Sequence, residues 1–298
     1  IIKKNLDQTK KVVVLGAATA ELEAASVCAL RGHQVTLFDA AHQAGGQVLL
    51  AGKVHWRNDL NTIIDWLEKE IQILAVDIRF NYFAEKADIL AENPDVVIIA
   101  TGGSPNTEWI NGNARVVNAW DVLSGMVQLT GHVFIHDQTG RNTALTVADY
   151  LSEKGVSVTL NTQDAQIGAE AMRLEMSPFM KHFYERDVKM SVDHELLAAH
   201  AEDKQTRITL RNIHTSATTD EFVDHLVVEA GTLPNDDLFY GLKADSANKG
   251  IIDLDLFTAG RAQPTYGECF HLYRVGDVSG SRDIHCAMLD SLRLCAQI

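Results

Sequence analysis

The sequence predicts an α/β protein built as two parallel-sheet lobes, the second inserted into the first. Three observations carry that reading. Short β-branched runs alternate with stretches of helical periodicity, the pattern of parallel strands covered by helices. A glycine turn joins the first strand to the first helix. The strand, turn, helix and strand cycle then recurs near Gly131.

The first cycle reads as strand Val12–Leu15, helix Glu21–Arg31, turn Gly32-His33 and strand Gln34–Phe38, which ends at Asp39. Gly45-Gly46-Gln47 follows, then a helical stretch over Asn58–Leu74 and a buried-strand pattern over Val96–Ala100 that runs into Thr101-Gly102-Gly103. In the second cycle, His132–His136 reads as a strand, Thr143–Lys154 as a helix and Val156–Leu160 as a strand. The stretch Val192–Asp224 has the pattern of meandering antiparallel strands, and Leu226–Asn235 echoes Val97–Asn106. A last strand, Leu272–Val275, ends in Gly276-Asp277 and precedes a helix over Asp283–Ala296, with Ile284, Met288, Leu292 and Cys295 at helical spacing. The expected organisation is a first lobe over 1–127, an inserted lobe over 128–222 and the first lobe resumed over 223–298.

Composition narrows the function. With 298 residues, 46% apolar and 22% charged, the chain has material for a large core and reads as an ordinary soluble protein. Its formal charge of −14, from 40 acidic against 26 basic residues, argues against nucleic acid and anionic membrane as partners. Cys28, Cys269, Cys286 and Cys295 lack metal-site spacing and read as reduced thiols of a cytoplasmic protein. The scattered histidines, among them His132, His136, His182, His194 and His200, likewise suggest no metal site. The start at Ile1, with no methionine and no signal-peptide core, is expected of a fragment or processed chain.

The strand-to-helix turn Gly16-Ala17-Ala18-Thr19-Ala20-Glu21 stands where a dinucleotide-binding fold carries G-x-G-x-x-G. Only the first glycine is kept. Ala18 puts a methyl where phosphate oxygens approach, and Glu21 puts a carboxylate in the first turn of a helix whose amides welcome an anion. Within about 4–6 Å of a pyrophosphate, that charge costs about 1–4 kcal/mol unless Glu21 is turned to solvent or paired, with Arg282 a conceivable partner. Asp39 has the spacing and chemistry to accept ribose hydroxyls, and Asp277, before the N-terminus of the last helix, can take a sugar hydroxyl beside a phosphate. The corresponding turn of the second lobe, Asp137-Gln138-Thr139-Gly140-Arg141-Asn142, has one glycine, and no pyridine nucleotide is expected there. The candidate cofactor contacts are therefore Gly16, Ala18, Thr19, Ala20, Asp39, Ala40, Gly45, Gly46, Gln47, Thr101, Gly102, Gly276 and Asp277, in two Rossmann-like dinucleotide-binding lobes of disulfide-reductase type.

Taken in order, the turn, Asp39, Gly45-Gly46-Gln47, Ala100-Thr101-Gly102-Gly103 and Gly276-Asp277 resemble the C-terminal FAD/ADP module of the trimethylamine dehydrogenase, histamine dehydrogenase and dienoyl-CoA reductase group, relatives of old yellow enzyme. Gly45–Trp56 and Val275–Cys295 most resemble its N-methylproline and proline-betaine demethylase-like members. The resemblance implies FAD or ADP as ligand. It also implies an FMN barrel and a 4Fe-4S site supplied by another domain or subunit, an electron-transfer partner and an oligomer. No catalytic residue is carried over to these 298 residues. A degenerate, ligand-free scaffold or partner subunit that keeps the fold for assembly is the alternative, and Ala18 with Glu21 is its motive.

Overall fold

A computed structural model describes residues 8–107 and 110–298; the basic start Ile1–Lys4 lies outside them. The chain divides into two compact units, one of Ile1–Leu49, Asp59–Ser104 and Leu233–Ile298, the other of Leu50–Asn58 and Pro105–Thr232.

In the first unit five strands form a parallel sheet in the order His271–Arg274, Val96–Ile99, Lys11–Leu15, Gln34–Phe38, Asp77–Arg79. Alternation along each strand sorts the apolar side chains into two layers. Val12, Val14, Val96 and Ile98 pack with the helix Thr19–Leu30, with Ile64, Leu67 and Ile71 of the helix Asn61–Ile73, and with Leu294 and Cys295 of the helix Ile284–Cys295. Val13, Leu15, Val97 and Ile99 face the other way, onto Ile89, Phe239, Leu242 and Leu272. Because both faces are covered, Val12–Leu15 and Val96–Ile99 are buried at every position.

The second unit repeats the plan with the parallel order Lys189–Ser191, Ser157–Thr162, His132–Asp137, His225–Glu229, Val116–Asn118. An antiparallel meander of His194–Glu202, Gln205–Asn212 and Thr218–Val223 accompanies it, as the alternation over Val192–Asp224 suggests.

Two features differ from the sequence reading. The strand His225–Glu229, assigned to the resumed first lobe at 223–298, pairs along its length with His132–Asp137 and so belongs to the second sheet. That pairing, with the edge strand Val116–Asn118, carries the second unit beyond 128–222 at both ends. The helix expected over Asn58–Leu74 begins at Asn61, behind a 3₁₀ segment His55–Leu60. Side-chain anchoring explains the break. Trp56 Nε1 donates to Asp149 Oδ2 at 2.8 Å, and the buried Arg57 reaches Thr146 Oγ1 at 3.0 Å and Glu175 Oε1 at 3.2 Å, its guanidinium lying over the Phe179 ring.

Asp149 is the hub of this anchor. It is 2% exposed and also accepts from His182 Nδ1 at 3.0 Å and Arg186 Nη1 at 2.5 Å. Replacing Asp149 by alanine strands three buried or half-buried donors, so urea unfolding should show a loss of about 3–5 kcal/mol, with a smaller loss for Asp149→Asn. An alanine variant as stable as the parent would show that the anchor is dispensable.

Candidate functional site

Register creates the site of the first unit. Leu15 is aligned with Phe38 on one side and Ile99 on the other, and Ile99 with Arg274. The residues that follow each strand, Gly16, Asp39, Ala100-Thr101 and Val275-Gly276-Asp277, therefore leave the sheet at one carboxyl edge. Strand order reverses there around Lys11–Leu15, the topological place where open α/β sheets take ligands.

Gly16 turns the chain at φ +109° and donates its N–H to Phe38 O at 2.7 Å. Gly45 N–H donates to Ala17 O at 2.8 Å, which ties the Gly45-Gly46 turn to the Gly16 turn. Packing here is close: a Cβ on Gly46 would lie 2.9 Å from the Ala18 methyl, and one on Gly276 2.9 Å from the Ala20 methyl. Gln47 Nε2 donates to Asp277 Oδ2 at 2.8 Å, and Asp39 Oδ1 accepts from Ala41 N–H at 2.5 Å. Thr19 is buried in the first helical turn, and Ala40 is exposed beside Asp39. Thr101 commits its hydroxyl to Asn235 O at 2.6 Å, while Gly102 O accepts from Asn235 N–H at 3.1 Å. Asn235 is thus the clamp of that turn, a role the sequence did not suggest.

Glu21 occupies the middle of this edge. It is 4% exposed, and a Cβ on Gly16 would lie 2.5 Å from its Oε1 and 2.9 Å from its Cγ. Its Oε2 has no hydrogen-bond partner. Burial pushes the carboxyl up to about 8; the carboxylates of Asp39 and Asp277 add to the rise, and the backbone amides of Glu21 and Ala18 oppose it. At neutral pH it is a neutral acid lying against the glycine turn. Arg282 does not pair with it, being bonded to Asp290. Nor does the last helix offer an open anion site: Asp283 caps it, accepting from Cys286 N–H at 2.7 Å, and that bond keeps the Asp283 carboxyl below its ordinary range.

The two ends of an adenine dinucleotide fit this edge, since Asp39 and Asp277 are half-buried acceptors for sugar hydroxyls. Its pyrophosphate does not fit, because Glu21 lies on the turn and amides that would receive it.

The second unit has an acidic pair that sequence reading missed. Asp137 and Glu229 are register partners at the carboxyl edge of the second sheet. Asp137, 1% exposed, accepts through Oδ1 from Thr139 N–H at 2.9 Å, Thr139 Oγ1 at 3.0 Å and Gly140 N–H at 3.1 Å. Burial raises Asp137 to about 6, and burial together with Asp137 raises Glu229 to about 7. The signal was present as acids at the ends of two apolar strands. Among the described residues no group of three or more His, Cys, Asp and Glu is placed to hold a metal, and no helix is long and apolar enough to cross a membrane.

A family model described as pyridine nucleotide-disulphide oxidoreductase matches residues 10–290. The chain is similar to the multifunctional alkene reductase/demethylase OYE of Caballeronia cordobensis, 40% identical over 294 residues that cover 97% of this chain and 44% of that protein. It is also similar to a probable N-methylproline demethylase of Rhizobium meliloti (strain 1021), 38% identical over 293 residues, 97% of this chain and 43% of that one. The solved complex of 2-naphthoyl-CoA reductase with 2-naphthoyl-CoA aligns with a TM-score of 0.82 at 26% identity, covering 100% of this chain and 41% of that chain. The resemblance to demethylase-like flavoenzymes and the α/β architecture are both borne out, and the chain spans less than half the length of these three proteins.

The raised carboxyls fix a pH dependence. A carboxyl held near 8 when folded and near 4.5 when unfolded keeps its proton in the folded state alone, so stability falls as pH rises between those values. Glu229 acts the same way up to about 7; burial holds His33 near 4, which acts oppositely only below its ordinary 6.5. Thermal melts should therefore show stability declining from pH 6.5 to 8 by roughly 1–2 kcal/mol, a decline reduced in Glu21→Gln. Parallel pH profiles for the two proteins would contradict it.

Proposed function

We propose that this chain, which belongs to the pyridine nucleotide-disulphide oxidoreductase family, is the adenine-nucleotide module of a flavoenzyme of the demethylase or amine-dehydrogenase kind. It is a flavin-dependent oxidoreductase domain related to demethylases, of FAD-type fold. The proposed ligand is ADP, free or as part of FAD, in the first unit. Asp39 would accept ribose hydroxyls, and Asp277, oriented by Gln47, would accept a sugar hydroxyl at the far end. The backbone of Gly16, Gly45, Gly46 and Gly102 would pass along the ligand. Bound FAD would supply a two-electron carrier, whereas ADP would serve structure only.

The single observation that carries the reading is the aligned strand edge, which brings Asp39, Gly45-Gly46, Gln47 and Gly276-Asp277 together from separate parts of the chain. For the second unit we propose no pyridine nucleotide, because Asp137 already takes the amides of its turn. The FMN barrel, the 4Fe-4S site, the electron-transfer partner, the oligomer and the cytoplasmic setting are proposed for the longer protein of which the relatives are examples. One observation, Glu21 against the glycine turn, favours a second reading: a nucleotide-free scaffold kept for assembly.

Purified protein incubated with FAD or ADP and freed of excess ligand should retain an adenine absorbance that is released on denaturation. Asp39→Ala should weaken that binding about tenfold, the effect of losing roughly 1.4 kcal/mol of hydrogen bonding to the ribose. Absence of any retained nucleotide would favour the scaffold.

A further inference from the structure

We propose that Glu21 is an internal stand-in for the ligand's pyrophosphate, so that a nucleotide enters the first unit only by displacing the Glu21 carboxyl from the Gly16 turn. This deepens the nucleotide reading and rests on it.

The helix Thr19–Leu30 starts at Ala18, which has no side chain able to cap it. Its first amides are the donors that a dinucleotide's phosphates take in this fold. Glu21, three residues into the helix, turns its own carboxyl back onto them, toward the N–H groups of Ala18 and Glu21. Oε1 and Cγ lie so close to Gly16 that a methyl there would collide with both. A phosphate oxygen needs a position about 2.7–3.1 Å from the same amides, so carboxyl and phosphate cannot share the space. Its other oxygen, Oε2, is buried with no hydrogen-bond partner, so the carboxyl is held at the turn without being fully satisfied there.

The second unit shows the same substitution independently. The helix Asn142–Glu153 also lacks a side-chain cap from its leading residue, Arg141, and Asp137 puts a carboxylate oxygen on the Thr139 and Gly140 amides of the turn before it. The acid comes from the strand end there and from the helix in the first unit. Two unrelated positions thus do the same thing to two related turns.

Displacement also moves a proton. Burial keeps Glu21 protonated near neutrality, and once expelled to water it would ionise. The groups facing it are Asp39 from the end of Gln34–Phe38 and Asp277 after His271–Arg274. Both are common to parent and variant, so their contributions cancel in a comparison.

Titration calorimetry with ADP at pH 6.5, in two buffers of different ionisation enthalpy, tests the proposal. Glu21→Gly is expected to bind ADP at least tenfold more tightly than the parent, and the parent to release more protons on binding than the variant. Glu21→Ala, which spares the helix the flexibility of glycine, should show the same direction. Measurable but equal affinity and proton release in parent and variants would overturn the stand-in and leave the nucleotide reading intact. No binding by any of the proteins, with melts showing them folded, would overturn the nucleotide reading itself.

Discussion

A parallel sheet in register can deliver its strand ends to only one edge, and everything proposed for this chain depends on that constraint. Leu15, Phe38, Ile99 and Arg274 end level with one another, so residues from four separate stretches of sequence reach a common place with no contact designed between them. The buried β-branched runs fix the register, since slipping one strand by a residue would turn its apolar side chains out of their layer.

What gathers at that edge is unusual for an anion site. Asp39, Asp277 and Glu21 converge where the fold's geometry favours negative ligands, and the second unit brings Asp137 and Glu229 to its matching edge. Such crowding is tolerable because burial raises Glu21, Asp137 and Glu229, which lets carboxyls hold protons rather than repel one another. Amides that a ligand's phosphates would take need an acceptor in its absence, and in the second unit the chain supplies one to its turn from Asp137.

The fold was legible because strand and helix periods differ and the strands are uniformly apolar. Gln34–Phe38 emerges from the sequence with its observed limits, and the helices at Thr19, Asn142 and Ile284 within two residues of theirs. Division into units was less legible: His225–Glu229 has the same apolar pattern as the strands of either sheet, and only pairing decides where it goes. Residues 58–60 share the helical pattern of the stretch that follows, and the anchoring of Trp56 and Arg57 that keeps them out of the helix shows only once their partners are known. At the site, Asp39, Gly45-Gly46 and Gly276-Asp277 could be read because strand ends and glycines punctuate the sequence. The direction of the Glu21 side chain could not, since a residue in the first turn can face either solvent or sheet, and the choice belongs to close packing around Gly16.

The layer beneath the first sheet is finished by the last residues of the chain: Leu294, Cys295 and Ile298 pack into the same cluster as Val12, Val14 and Cys28. During synthesis the stretch up to Leu49 therefore waits for more than two hundred further residues before its own core can close. The stretch Pro105–Thr232, with Leu50–Asn58 already made, has all it needs much sooner. Of the two units, the one whose strands are made earlier is thus completed later, with Val12 and Val14 left uncovered on one face until the helix Ile284–Cys295 has formed.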